Sequence, residues 1–92
     1  MAATGASFLI SGRVQGVSFR AYTRAKAVRL GLVGQVRNLP TGQVEALAWG
    51  EETSLEAFRQ WLSQGSPGSQ VTGIQDSPWQ PANPLSSFEV VF

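Results

Sequence analysis

Residues 12 to 20, Gly-Arg-Val-Gln-Gly-Val-Ser-Phe-Arg, carry the residue types from which an anion site is made. Gly12 and Gly16 bracket a turn, and the residues after it read as the start of a helix. Such a junction aims several backbone N–H groups and the positive end of a helix dipole at one spot. Glycine permits the tight, positive-φ backbone that a cradle of N–H groups requires. The phosphate-binding pattern G-x-x-x-x-G-K-[ST] is absent, and a glycine pair at this spacing also serves a plain strand-to-helix turn. Arg20 bears on the choice. A guanidinium in the first helical turn meets the helix dipole with the wrong sign, at a cost of roughly a few tenths of a kcal/mol. An anion bound between the two reverses that balance, and the planar fork of donors fits two phosphate oxygens at once. The alternative is a solvated surface arginine, a description that suits Arg24 and Arg29 better, as residues of the outer helix face.

A second candidate is Asn38, in Gly-Gln-Val-Arg-Asn-Leu-Pro-Thr-Gly-Gln-Val, residues 34 to 44. Asn beside a Pro-Thr-Gly turn commonly satisfies local backbone. Its carboxamide also offers donor and acceptor together, and so can hold and orient a water molecule.

The charge distribution supports an anionic ligand near these residues. The net charge of +1 is the sum of a +6 segment up to Val44 (Arg13, Arg20, Arg24, Lys26, Arg29, Arg37, no carboxylate) and a −5 remainder, in which Arg59 stands among six carboxylates. With no Cys and no His, thiol nucleophiles, imidazole bases, disulfides and soft metal ligands are excluded. The scattered carboxylates form no Ca²⁺-loop pattern. Residues 1 to 7 carry neither the basic nor the apolar stretch of a signal peptide, and no apolar run approaches the roughly 18 residues of a membrane helix. A cytoplasmic protein is expected. At 92 residues, 42% hydrophobic and 14% charged, the chain is long enough for one domain (residues 1 to 92) and too apolar for a disordered one.

The elements that must position these residues follow from periodicity. Residues 6 to 14 read as a strand with Phe8 and Ile10 on one face. Residues 19 to 30 read as a helix with Ser18 as N-cap, an apolar stripe of Ala21, Ala25, Val28 and Leu32, and Gly31 as the stop. Residues 33 to 38 and 43 to 49 form a hairpin around Leu-Pro-Thr-Gly, with Val44, Ala46 and Ala48 on one face. A second helix follows, with Thr53 and Glu56 at capping-box spacing, a stripe of Leu55, Phe58 and Leu62, and Gly65 with Pro67 ending it. Residues 71 to 79 and 87 to 92 close the chain as strands, the last with Phe88, Val90 and Phe92 inward. Trp49, Trp61 and Trp79 are expected to pack in or near the core. The order β-α-β-β-α-β plus a short C-terminal strand predicts an α+β, ferredoxin-like split βαβ sandwich, two helices on one face of an antiparallel sheet. That fold alone names no function.

Residues 12 to 20 and 31 to 44 closely resemble the two signature segments of the acylphosphatase family. The first family pattern is G-x-V-Q-G-V-x-[FM]-R, here GRVQGVSFR. The second is a glycine and apolar residues followed by V-x-N-x-x-x-G-x-V, here GLVGQVRNLPTGQV. Chain length, element order and the ending Ser-Ser-Phe-Glu-Val (86 to 90) also match. The resemblance implies hydrolysis of the carboxyl-phosphate anhydride of acyl phosphates by a monomer that needs no metal or cofactor. By position, Arg20 would grip the phosphate together with the backbone N–H groups of Gln15, Gly16, Val17, Ser18 and Phe19, and Asn38 would position the attacking water. Inorganic phosphate would be a product; no nucleic-acid or membrane partner is implied. Gln43 stands where the family often has Thr, a difference expected to alter hydrogen bonding behind Asn38 without touching either catalytic residue. Two other readings belong beside this one. A non-catalytic module of the same family would bind phosphate or carbamoyl phosphate in a larger assembly. An RNA-binding ferredoxin-like domain would need aromatic and basic residues on its central strands, and Gln-Val-Glu-Ala-Leu-Ala-Trp does not supply them.

Overall fold

The computed structural model describes residues 3–92. Alternation of apolar and polar residues gives five strands: β1 (Thr4–Arg13), β2 (Val33–Asn38), β3 (Val44–Gly50), β4 (Gln70–Pro78) and β5 (Phe88–Val91). Two helices interrupt them, α1 (Phe19–Arg29) between β1 and β2, and α2 (Glu52–Gln64) between β3 and β4. The sheet order is β4-β1-β3-β2-β5. Four strands pair antiparallel, the β2–β3 hairpin among them, while β5 runs parallel to β2. The sheet is therefore mixed rather than purely antiparallel, because the chain reaches β5 by a long crossover from the opposite edge. The ferredoxin-like split βαβ order stands as expected.

Both helices lie on one face, α1 over β2 and β5, α2 over β1 and β4. The inward residues of the sheet, including Phe8, Ile10, Val36, Val44 and Phe88, are buried beneath them. Ala46 and Ala48 keep the central strand β3 low, which leaves room for Phe58 of α2. The Phe58 ring meets Phe8 at 5.7 Å and Phe88 at 6.0 Å, both edge to face, the arrangement the ring quadrupole favours. Burying such a ring contributes about 1.5–3 kcal/mol, so this one residue links both halves of the sheet to α2. The expected stripe of Leu55, Phe58 and Leu62 is the buried face of α2.

The face of α1 differs from expectation. Phe19, Thr23 and Ala27 are buried, whereas Ala21, Ala25 and Val28 face outward. Alanine methyls carry too little apolar area to set the rotation of a helix; the Phe19 ring carries far more and fixes the phase from the first residue. Leu32 is buried, but beyond the helix. In α2 the capping box does not form: Thr53 lies inside the helix, Glu51 holds the N-cap position with extended backbone, and neither supplies a side-chain cap. Phe92 lies outside β5 and is 99% exposed rather than inward. The three tryptophans are half-buried, as expected. No described helix is long and apolar enough to cross a membrane.

Candidate active site

β1 ends at Arg13, one residue after its pairing with β4 shifts register between Ser11 and Gly12. The chain then turns through residues 14–18 into α1. Two buried apolar side chains, Val14 and Phe19, each 1% exposed, pin the ends of this turn. Phe19 is fixed in turn by the Trp61 ring of α2 at 5.9 Å. Between the pins the backbone takes conformations that suit a cradle rather than a helix. Gly16 has φ of 74°, and Ser18 has φ of 59° and ψ of 24°, a left-handed conformation costly for a residue with a side chain. Ser18 does occupy the N-cap position, but its hydroxyl makes no capping bond, since a capping side chain needs extended backbone there. Among the described residues, no main-chain N–H from Gln15 to Arg20 donates to a backbone carbonyl; Tyr22 is the first to do so, to Ser18 O at 3.2 Å.

The hairpin is tied directly to this turn. The Gln15 amide Nε2 donates to Leu39 O and Gln43 O, both at 2.9 Å. Those two residues close the hairpin, Leu39 N donating to Gln43 O at 2.8 Å. The tie holds the end of β2, and so Asn38, against the turn. Gln43 in turn donates through Nε2 to Ser11 Oγ at 2.9 Å and accepts from Thr41 Oγ1 at 2.8 Å. It braces the hairpin against β1 and, as expected, bonds to neither Arg20 nor Asn38.

Turn, helix start and hairpin enclose one cavity of about 490 Å³. Gly16, Ser18, Arg20 and Asn38 form its polar side, while Val14, Phe19, Ala21, Val90 and Phe92 supply apolar wall. Asn38 Oδ1 is buried and has no hydrogen-bond partner among the described residues. A buried acceptor left unpaired costs about 1–3 kcal/mol, so a donor delivered to that atom is favoured. Arg20 makes no ion pair among the described residues, and the first turn of α1 holds no acid. Its guanidinium is instead held from β5: Nη1 donates to Val91 O at 3.2 Å, and the carbon of the guanidinium lies 4.5 Å from the centroid of the Phe92 ring. Cationic charge, dipole and unshared N–H groups thus converge without a neutralising carboxylate. No described group of three or more acidic, His or Cys side chains is placed to hold a metal ion.

Sequence reasoning missed three contacts. The Gln15 side chain, as distinct from its N–H, ties the turn to the hairpin. Arg24 is exposed but not merely solvated, because its Nε donates to Phe88 O at 3.0 Å and fastens α1 to β5. Phe92 lines the cavity instead of filling the core. The only local signal for any of them is an amide-bearing residue set between glycines and valines at Gln15; the partners of Arg24 and Phe92 lie too far along the chain to be read from spacing.

A two-layer sandwich of two helices on a sheet sets an uncapped, arginine-bearing helix start and a half-buried asparagine around one cavity, an arrangement with the charge and donors to suit a small phosphate-like anion. The description "Acylphosphatase" belongs to the family model that matches residues 6–90. An acylphosphatase of Acaryochloris marina is 47% identical over 83 residues, covering 90% of this chain and 88% of that protein. The crystal structure of acylphosphatase from Bacillus subtilis superposes with a TM-score of 0.92 at 35% identity, over 97% of this chain and 99% of that one. Full-length HypF in its phosphate- and nucleotide-bound form matches with a TM-score of 0.90 at 28% identity, over 99% of this chain but 12% of the HypF chain. The chain belongs to the acylphosphatase family and is an enzyme that hydrolyses acyl phosphates.

Proposed function

We propose that the reaction is a metal-free hydrolysis in which the chain supplies position and charge and no covalent nucleophile. Arg20 and the backbone N–H groups of Gln15, Gly16, Val17, Ser18 and Phe19 hold the phosphate oxygens, and Arg20 meets the charge that builds on them. The Asn38 carboxamide holds a water and aims that water's oxygen at phosphorus. The P–O bond to the acyl group breaks, the carboxylate leaves with the bonding pair, and one proton of the water passes to a phosphate oxygen. Charge spread over phosphate oxygens is stabilised well by fixed donors, and a loose transition state asks little else of the protein. The observation that supports this reading is that Asn38 lines the same cavity as Arg20, a guanidinium with no carboxylate partner among the described residues. The wider reading takes residues 1–92 as one such domain, a monomer of the cytoplasm.

The test is hydrolysis of benzoyl phosphate by the purified chain in EDTA, with inorganic phosphate added as inhibitor. Turnover unchanged by EDTA and competitive inhibition by phosphate are expected. Turnover that EDTA abolishes would overturn the metal-free mechanism. Phosphate binding without turnover would favour the non-catalytic module instead.

A further inference from the structure

Of the exposed large apolar side chains among the described residues, Tyr22, Val28, Leu85 and Phe92, the last alone lines the active-site cavity. Its ring lies over the guanidinium of the cavity. Arg20 lies under the ring at 4.5 Å and is bonded to the preceding carbonyl, Val91 O. Any anion gripped by Arg20 is therefore within a ring's width of Phe92. The strand register sharpens the placement. The parallel pairing of β2 with β5 runs to Arg37 and Val91, so Asn38 and Phe92 are the next residues along the two chains, and both line the cavity. In an in-line displacement the leaving group departs on the side of phosphorus opposite the water, and Phe92, Val90 and Ala21 are the apolar wall of this cavity beside Arg20.

We infer that Phe92 is a specificity-determining residue whose ring takes the acyl group, so that acyl phosphates with aromatic or extended apolar acyl groups are preferred over acetyl phosphate. This rests on the proposed roles of Arg20 and Asn38. An exposed ring gains when a second apolar group covers it, and covering about half of a phenyl face amounts to roughly five- to tenfold in apparent affinity.

The experiment is steady-state kinetics of the wild-type chain, Phe92→Leu and Phe92→Ala on benzoyl phosphate and acetyl phosphate, with the inhibition constant of inorganic phosphate measured for each. In Phe92→Ala the ratio of kcat/KM for benzoyl over acetyl phosphate is expected to fall about five- to tenfold, mainly through KM, with phosphate inhibition unchanged and Phe92→Leu in between. An equal loss on both substrates together with weaker phosphate inhibition would overturn the inference, since the ring would then act only by holding Arg20. No change on either substrate would overturn it too. If the wild-type chain hydrolyses neither substrate, the failure lies in the proposed function, which separates it from failure of the role given to Phe92.

Discussion

The described residues contain two helix N-termini, each facing a cleft of similar size, about 490 Å³ beside α1 and about 450 Å³ beside α2. Each helix start carries a partial charge of about +0.5. At α2 that charge is met: Glu52 sits in the first turn, the N-cap residue Glu51 is extended, and the cleft is lined by Glu52, Glu56 and Asp76. Its one cation, Arg59, is paired with Asp76 at 2.8 Å. At α1 nothing meets it. The first turn has no acid, the N-cap is left-handed, and Arg20 adds positive charge with no carboxylate in reach among the described residues. The two halves of the fold thus offer the same geometry with opposite electrostatic outcomes. On the proposed function, what separates the α1 cleft from the α2 cleft is neither volume nor a helix end but uncompensated positive charge.

The comparison is broken most directly at Arg20. Arg20→Ala is expected to lower kcat/KM by about 10²- to 10³-fold and to weaken inhibition by inorganic phosphate, because charge and donors are lost in ground and transition states alike. Asn38→Ala removes an acceptor from water, not from phosphate. A loss of about 10²-fold in kcat is expected there, with phosphate inhibition close to wild type. Steady-state rates and phosphate inhibition constants, measured on both variants, separate the two roles; equal effects on both constants would show the roles to be misassigned.

Why these residues were legible in the sequence, and others were not, follows from the range over which each is determined. The cradle is local: glycines, helix start and arginine fall within nine consecutive residues, and the proposed phosphate chemistry calls for those types. Asn38 is local to a hairpin whose Pro-Thr-Gly turn announces itself. The hydrophobic periods of the strands and of α2 are strong because Phe, Leu and Val carry them. The period of α1 is weak because alanines carry it, and its rotation is decided by Phe19 meeting Trp61 from the other helix. Arg20 and its carbonyl partner are 71 residues apart in sequence, and Arg24 and its partner 64, so no spacing rule could join them. The +6 segment divides in the same way. Arg37 pairs with Glu45 across the hairpin at 2.8 Å, Arg13 donates to Gly68 O at 3.0 Å, and Lys26 and Arg29 sit in the last turn of α1, where the dipole favours them. Arg20 alone combines cationic charge with the cavity.

A matched pair of glycines sharpens the contrast at smaller amplitude. Gly16, in the cradle, and Gly31, at the far end of α1, share φ of 74°, and a Cβ at either would meet nothing within 4 Å. Alanine at each therefore costs the left-handed strain and no clash, about 1–2 kcal/mol. Thermal unfolding should show comparable drops in Tm for Gly16→Ala and Gly31→Ala. Only Gly16→Ala is expected to lose rate as well, since relief of its strain moves the N–H groups that face the cavity. A comparable loss of rate in Gly31→Ala would mean that activity follows stability and that the cradle geometry is not special.

The smallest effect is expected at the other cleft, and there the expectation is strict. Arg59 and Asp76 are about half and two-fifths exposed, at 47% and 39%, so their ion pair is screened by water and contributes about 0.2–1 kcal/mol. Arg59→Ala also leaves three carboxylates facing the start of α2, which makes that cleft more hostile to phosphate, not less. If the charge at each helix start decides function, Arg59→Ala changes kcat and KM for benzoyl phosphate by less than about twofold, and the slight loss of Tm shrinks further as salt is raised. A tenfold loss of activity in this variant, without matching loss of fold, would mean that the α2 cleft takes part in the reaction and that the two helix ends differ in degree rather than in kind.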